Sequence, residues 1–211
     1  TQGRIGQSLS TRPVWIHLKD PTSFPNQKQY PLKAKAGKGL DAISNNRNMQ
    51  GLLKPCNSPW NTPILGVQKP KGEYRLVQDL HLSNQATVPI HLVVPNPYTL
   101  LMSEGTKWFT VLDLEDAFFC ITLYPDSQYL FAVKDSSSRI AQLTLRVLSQ
   151  GFWDSRHLFG QALSEDLSEF SHPQIRVLQY VDDILLCAPI EEASQEGTEA
   201  LLNFLTDRGY K

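Results

Sequence analysis

The chain has 211 residues, of which 41% are hydrophobic, and its formal net charge at pH 7 is -1. This length and apolar content allow one or two folded domains with a sizeable core, and they exclude an intrinsically disordered chain. The near-zero net charge argues against a simple, uniformly basic nucleic-acid-binding module.

The charges are distributed unevenly along the chain. Residues 1–112 carry a net charge of +8, from 13 Lys and Arg against 5 Asp and Glu, whereas residues 113–211 carry -9, from 7 against 16. A basic half suits phosphate groups, and an acidic half suits cations. A chance division of solvated surface charge is the alternative explanation.

Cysteine usage and hydropathy bear on where the protein resides. Cys56, Cys120 and Cys187 are an odd number without close pairing, which argues against a disulfide framework and favours a reducing compartment. No apolar run approaches the ~18 residues of a membrane span, and neither a signal peptide nor an initiating Met is present. We therefore expect an intracellular protein that is a piece of a longer chain.

Proline positions and apolar spacing predict the main elements in chain order. They are an extended arm over 1–50, a hairpin over 61–80 with its tip at 71–73, a proline-marked loop over 89–97, and helices over 157–170 and 193–208. The Asn-rich segment 40–53 is a poor helix former. The glycine-containing run at 36–39 lacks a phosphate-loop pattern and is interpreted as an ordinary loop.

The segment Tyr180–Asp183 lies between two short apolar runs and predicts a β-hairpin with two carboxylates at its turn. Two unit charges ~4 Å apart repel by about 1 kcal/mol in water and about 4 kcal/mol at an effective dielectric of about 20. A divalent cation that prefers oxygen ligands, such as Mg²⁺, is the simplest compensating partner. A solvated acidic turn is the alternative, and it is the commoner fate of an isolated Asp-Asp pair.

A second acidic cluster consists of Asp113 and Asp116. It comes directly after an apolar run that contains Phe109, Val111 and Leu112. If this strand neighbours the hairpin in one sheet, its carboxylate and those of the turn converge. That arrangement holds two metal ions for phosphoryl transfer in other proteins. Two unrelated acidic loops are the alternative, because the sequence by itself does not show convergence.

Seven sequence blocks, in a fixed order, carry a family resemblance over nearly the whole chain. They are Gln29–Leu32, PCNSPWNTPILGVQKP at 55–70, Tyr74-Arg75 with Val77–Leu80, VPNPYTLL at 94–101, VLDLEDAFFC at 111–120, Gln150–Phe152 and LQYVDD at 178–183. With these blocks the chain resembles the fingers and palm of a retroviral reverse transcriptase of the murine-leukaemia (gammaretrovirus) type. YVDD alone is a weak signal, but seven blocks at nearly the family's spacing are very specific.

The resemblance implies an α+β fold, the fingers and palm of a right-hand polymerase, with an antiparallel palm sheet backed by helices. It divides the chain into N-terminal arm and fingers at 1–88, palm at 89–120, fingers at 121–154 and palm at 155–211. In the family the thumb, connection and RNase H domains follow this segment. A palm without all its strands is expected to expose an edge and apolar surface, and the piece alone to be poorly stable.

The implied activity is that of an RNA-directed DNA polymerase, in which a primer 3′-hydroxyl attacks the α-phosphate of a deoxynucleoside triphosphate. The implied cofactor is a pair of Mg²⁺ ions, with Mn²⁺ as a substitute, held by the catalytic carboxylates Asp113, Asp182 and Asp183. The implied partners are an RNA or DNA template with primer, the nucleotides and the remaining Pol domains, with no membrane. The implied location is the cytoplasm or a virion core.

Further site residues follow from matching positions in the family. The implied nucleotide-binding residues are Lys69, Arg75, Leu114, Glu115, Asp116, Ala117, Phe118 and Gln150, and those near primer or template are His81, Gly151, Tyr180 and Val181. Lys69 and Arg75 would bind the β- and γ-phosphates, although the hairpin here is one residue shorter than the family's. Phe118 would exclude a 2′-hydroxyl, and Asp116 would support the site without binding metal. The ordinary alternatives are that Lys69 and Arg75 are solvated surface charges and that Phe118 only packs in the core.

The chain departs from the family pattern at a few positions near the implied site. They are Leu76, His81, Ser149, Trp153 and Arg156. All but Arg156 are one transition from a family codon, which suggests an endogenous retroviral copy decaying without selection, a hypothesis that the encoding DNA tests. Two other functions therefore stay open: a decayed remnant with at most nucleic-acid binding, and an unrelated carboxylate-dependent hydrolase. The hydrolase explains neither the Lys69/Arg75 hairpin nor Gln150–Phe152.

Overall fold

Eight strands and four α-helices occur in the ranges that a computed structural model of the chain describes, which are 6–31, 51–68, 74–90, 106–114, 116–134 and 142–211. The strands are β1 Leu53–Cys56, β2 Ile64–Gln68, β3 Tyr74–Gln78, β4 Trp108–Asp113, β5 Val133–Lys134, β6 Gln142–Leu145, β7 Arg176–Tyr180 and β8 Asp183–Ala188. The helices are α1 His81–Ala86, α2 Pro125–Gln128, α3 Ser155–Leu167 and α4 Glu191–Asp207.

Several predictions fall outside these ranges. They concern Lys69, Glu115, the hairpin tip at 71–73, the run at 36–39, nearly all of the segment 40–53, and most of the loop over 89–97. No helix within the described ranges is long and apolar enough to cross a membrane.

The strands form three antiparallel sheets, in the orders β1-β6-β5, β2-β3 and β4-β8-β7. The β2-β3 pair is the hairpin predicted over 61–80, with Ile64 opposite Gln78. Helices α3 and α4 occupy the two segments where helical spacing was found, and the described part of the N-terminal arm contains no helix. The expected α+β class is therefore confirmed.

The β4-β8-β7 sheet has one face against helices. Ile184, Leu186 and Ala188 of its central strand are almost completely buried, and helix α4 packs against β8 and β4. On β4, in contrast, Phe109 and Val111 are 55% and 69% exposed. Among the described residues β4 pairs only with β8 and is therefore an edge strand of the described sheet. The expected exposure of apolar surface through missing strands and the expected poor stability both stay predictions.

The N-terminal arm and the C-terminal end of the chain meet at one buried carboxylate of α3. Asp166 is only 3% exposed and accepts hydrogen bonds from Ser10 Oγ at 2.7 Å, Tyr210 OH at 2.6 Å and Arg208 Nη1 at 2.8 Å. Arg208 also binds Glu169, which is exposed. Because three donors converge on one buried anion, Asp166 joins the arm, α3 and the chain end into one unit.

The turn between β7 and β8 holds a valine in an unfavourable backbone conformation. Val181 and Asp182 form a two-residue loop, and Val181 has φ 57°. A β-branched residue seldom adopts this left-handed region, and such strain costs of order 1–3 kcal/mol. Gln179 supports the turn, because its Nε2 donates to Val181 O and to Gly160 O of α3, both at 2.9 Å.

Replacing Asp166 by Asn should lower the free energy of unfolding by about 3 kcal/mol. The change leaves Arg208 without its buried counter-charge, and it places the NH₂ group of the new amide next to side chains that themselves donate hydrogen bonds. The measurement is urea denaturation of the 211-residue chain. The matched control is Glu169→Gln, which alters the exposed half of the same network and should cost less than about 1 kcal/mol. Equal losses for the two variants would contradict the assignment of Asp166 as the junction.

Replacing Val181 by Gly should raise the free energy of unfolding by about 1 kcal/mol. The relieved backbone strain exceeds the extra chain entropy of glycine, which is about 0.5–1 kcal/mol. Val181→Ile, which keeps the branched Cβ, is the control and should leave stability unchanged. A glycine variant less stable than the wild type in urea denaturation would show that the turn stores no strain.

Candidate active site

Two predicted catalytic carboxylates lie directly opposite each other on neighbouring strands. Asp113 ends β4, Asp183 begins β8, and the two are partners in the β4-β8 register. Directly opposed residues place their Cβ atoms roughly 4.5–5.5 Å apart on one face of the sheet. Asp183 is also the partner of Tyr180 on β7, so Asp113, Asp183 and Tyr180 form one row across the sheet.

The row lies at the solvent-facing end of the sheet. The side chains of Asp113, Asp183 and Tyr180 are all exposed, while Asp182 in the turn is half-buried. Like charges directly opposite on paired strands are destabilising, so folding concentrates negative charge here at a cost in stability. A cation bound between the carboxylates would offset that cost.

The donor set of this row fits a hard divalent cation. Carboxylate oxygens are the ligands that Mg²⁺ prefers, and neither Cys nor His belongs to the row. Within the described ranges, however, no three His, Cys, Asp or Glu side chains form a group that could hold a metal ion. The backbone register therefore brings Asp113 and Asp183 together, and the side chain of Asp182 does not complete a three-carboxylate cluster with them.

The residues after β4 turn away from the strand in a short 3₁₀ turn, Ala117–Cys120. The side chains of Leu114 and Ala117 are buried, so only their backbone can face a ligand, whereas Asp116 is exposed with φ 51°. Phe118 is half-buried and meets Phe159 of α3 edge to face, at 6.0 Å between ring centroids. The ring of Phe118 is therefore held by α3, while Phe119 is buried in the core.

Gln150 and Gly151 lie in a turn before α3, beside the β2-β3 hairpin. Gly151 has φ 95°, which favours glycine, and its carbonyl accepts from Asn84 Nδ2 at 3.1 Å. Ser149, one of the departures from the family pattern, is buried and donates to Gln78 Oε1 at 3.1 Å. The hydroxyl of Ser149 is thus satisfied in this fold, and the departure leaves no buried polar group unpaired.

His81 begins α1 and is tied to a neighbouring carboxylate. Its Nδ1 lies 2.7 Å from Asp79 Oδ1, and Tyr30 OH donates to Asp79 Oδ2 at 2.7 Å. Burial alone would raise the pKa of Asp79, but the hydrogen bonds from His81 and Tyr30 outweigh it and lower that pKa. Sequence analysis missed this chain of contacts, although an Asp two residues before a helix start was a signal for it.

The structure also places one further predicted site residue, Arg75, and two of the departures from the family pattern, Trp153 and Arg156. Arg75 lies in β3 opposite Val67 of β2. Trp153, a departure from the pattern, donates through Nε1 to Thr87 Oγ1 at 3.2 Å, and Arg156 is exposed in the first turn of α3.

One supporting residue, Gln179, was not predicted. Its amide holds the Val181 carbonyl against α3, and it lies on the helix-facing side of β7. A polar residue in an otherwise apolar alternation was the signal that could have found it.

Comparisons with known proteins identify the family of the chain. A family model described as reverse transcriptase (RNA-dependent DNA polymerase) matches residues 67–211. The chain is 47% identical, over 99% of its length, both to the Pol polyprotein of Feline endogenous virus ECE1 and to the Gag-Pol polyprotein of Baboon endogenous virus (strain M7). It spans only 21% and 13% of the length of these two relatives.

A solved structure shares the fold. It is a foamy viral protease-reverse transcriptase in complex with double-stranded DNA, which matches 99% of this chain and 35% of its own, with a TM-score of 0.81 and 24% identity. Residues 67–211 include β4, the β7-β8 hairpin and all three predicted catalytic carboxylates. The chain belongs to the reverse transcriptase (RNA-dependent DNA polymerase) family.

Proposed function

We propose that this chain carries the polymerising site of an RNA-directed DNA polymerase. The observation that supports this most directly is the register of β4 and β8, which sets Asp113 opposite Asp183 with Tyr180 in the same row. In this proposal the remaining Pol domains complete the enzyme. The proposed division is arm and fingers at 1–88, palm at 89–120, fingers at 121–154 and palm at 155–211.

Asp113 and Asp183 would hold two Mg²⁺ ions, or Mn²⁺ in their place, together with Asp182, whose side chain does not join the other two carboxylates in this structure. When bound, such ions stabilise the charge that develops on phosphoryl and hydroxyl oxygens in an in-line displacement. The protein's own task is to position primer terminus and nucleotide, since phosphoryl transfer asks for little covalent chemistry from side chains. The exposed row of Asp113, Asp183 and Tyr180 offers the surface for this positioning.

The residues around the row would bind nucleotide and template. Phe118, braced by Phe159, would lie beneath the sugar, and the backbone of 114–117 would line the triphosphate. Gln150 and Gly151 would contact nucleotide and template, as would His81. Lys69 and Arg75 at the fingers hairpin would bind the β- and γ-phosphates. The double-stranded DNA in the foamy viral relative supports a nucleic acid as the partner.

Replacing Asp183 by Asn should reduce Mg²⁺-dependent nucleotide incorporation by about 10³-fold, the scale of losing one preorganised electrostatic group. The chain would replace the matching segment of the Pol polyprotein of an active gammaretroviral relative, and incorporation would be measured on poly(rA) primed with oligo(dT). The control is Asp207→Asn, which removes an exposed carboxylate at the end of α4 and should leave the rate unchanged.

The same measurement separates an active polymerase from a decayed remnant. A soluble, monomeric hybrid that incorporates no nucleotide with the wild-type segment would identify a decayed remnant. Unchanged nucleotide incorporation by the Asp183→Asn hybrid would show that Asp183 does not belong to the catalytic site.

Replacing Phe118 by Val should weaken the exclusion of ribonucleotides by about tenfold or more, because a smaller side chain leaves room for a 2′-hydroxyl. The measurement is the ratio of kcat/KM for deoxyribonucleotides and ribonucleotides in the hybrid. Phe118→Tyr keeps the ring and serves as the control, with an unchanged ratio. An equal selectivity ratio in the wild type, Phe118→Val and Phe118→Tyr would show that Phe118 only packs in the core.

A further inference from the structure

A pocket of about 530 Å³ lies where the N-terminal arm packs against α2. One wall is the arm from Trp15 to Phe24, and the others are the segment between β1 and β2 and α2 with the 3₁₀ turn that follows it. None of its described lining residues belongs to the proposed polymerising site. The pocket is therefore a feature that the proposed function leaves unexplained.

Hydrogen bonds join the walls of the pocket to one another. Ile16 N of the arm donates to Ser127 Oγ of α2 at 2.9 Å, and this bond is buried. Ser58 Oγ, from the segment between β1 and β2, donates to Tyr129 O at 3.0 Å. Because the three walls are tied together, the fold itself forms the pocket, and a ligand would pay little to organise it.

Aromatic rings make up much of the lining. Trp60 is buried at 3% exposure, whereas Trp15, Phe24 and Tyr129 are 47%, 51% and 36% exposed. Phe24 meets Trp60 edge to face, at 6.4 Å between ring centroids. The face of an aromatic ring carries partial negative charge and attracts cations, most strongly in tryptophan. Two indoles and a phenyl ring at one pocket therefore favour a cationic ligand.

The charge of the lining points the same way. Asp126, in the first turn of α2, lines the pocket, and no Lys or Arg is among the described lining residues. Asp126 is exposed and forms no ion pair with a described residue. Lys54 Nζ lies 6.0 Å from the ring centroid of Tyr129, but Lys54 does not line the pocket. The carboxylate of Asp126 is thus available to a cation from outside.

Among organic cations, a guanidinium group fits this combination best. It is planar and weakly hydrated, it stacks on aromatic faces, and it donates two parallel hydrogen bonds to one carboxylate. A quaternary ammonium group could use the rings but has no N–H to donate to Asp126. The ammonium group of lysine is hydrated more strongly, so its removal from water costs more.

We propose that this pocket binds an arginine side chain of a partner protein. A protein is favoured over free arginine, because the free amino acid carries an α-carboxylate and the described lining has no Lys or Arg to receive it. The half-exposed rings of Trp15 and Phe24, with Pro21 and Pro59 beside them, supply apolar surface for the partner's adjoining residues. Arginine and tryptophan are enriched at the energetic centres of protein interfaces. The proposal is independent of the polymerising activity.

The four tryptophans of the chain allow a test that separates the pocket from the rest of the protein. Trp15 and Trp60 line the pocket, whereas Trp108 and Trp153 do not. The probe is the blocked peptide Ac-Gly-Arg-Gly-NH₂, titrated into the 211-residue chain with ¹⁵N-labelled indoles, whose N–H signals are followed by NMR. The signals of Trp15 and Trp60 should shift with one common Kd, and those of Trp108 and Trp153 should not move. The same peptide with citrulline, the neutral isostere of arginine, should cause no shift.

Two variants test the proposed contacts through the signal of Trp60. Asp126→Asn should weaken binding of the arginine peptide about fivefold, as expected for a partly solvated ion pair. Trp15→Leu should weaken it about threefold, because the apolar side chain has no negative ring face, while Trp15→Phe should retain most of the affinity. The matched control is Glu196→Gln, which removes an exposed carboxylate of α4 outside the pocket and should leave the Kd unchanged. Urea denaturation of each variant verifies that it is folded.

The remaining outcomes each decide against the proposal. If the arginine peptide shifts neither pocket indole, or if the citrulline peptide shifts both equally, the pocket has no preference for a guanidinium. Unchanged affinity in Asp126→Asn overturns the proposed ion pair. Tighter binding of tetramethylammonium than of the arginine peptide assigns the pocket to quaternary ammonium ligands, and equal binding of free arginine assigns it to a small molecule. Nucleotide incorporation by the hybrid and its loss in Asp183→Asn are unaffected by any of these results.

Discussion

The pairing of β4 with β8 is the constraint on which the site depends. Register in this sheet is fixed by the buried face, because a slip of one residue would exchange Ile184 and Leu186 with their solvent-facing neighbours. Packing of apolar side chains against α4 on one face therefore decides that Asp113 and Asp183 oppose each other on the other. The stability of the core holds in place two like charges that would otherwise separate.

Helix α3 braces the site from behind. Its Phe159 is buried and contacts the ring of Phe118, and the carbonyl of its Gly160 accepts from Gln179, which also holds the Val181 carbonyl. Adjacent residues of one helix thus position the proposed sugar-contacting ring and the strained turn. At its other end the helix carries Asp166, where the N-terminal arm and the chain end meet. A displacement of α3 would therefore move the ring of Phe118, the turn at Val181 and the junction at Asp166 together.

The arrangement of charge follows from which groups are paired. Arg208 is neutralised by Asp166 and Glu169 at the far end of α3, whereas Arg156 and Arg176 are exposed and form no ion pair with a described residue. Negative charge is concentrated at the ends of β4 and β8, and positive charge beside β7.

The sequence by itself determined the local elements and the family. Short apolar runs around Tyr180–Asp183 and before Asp113 predicted the strands, and helical spacing predicted α3 and α4, because these patterns depend on neighbours along the chain. Tertiary structure alone decided that Asp113 faces Asp183 and that Phe118 rests on Phe159. It also decided that Arg156 and Arg176, twenty residues apart, line one groove between α3 and β7. Such contacts depend on strand order and on helix docking, which no local spacing encodes.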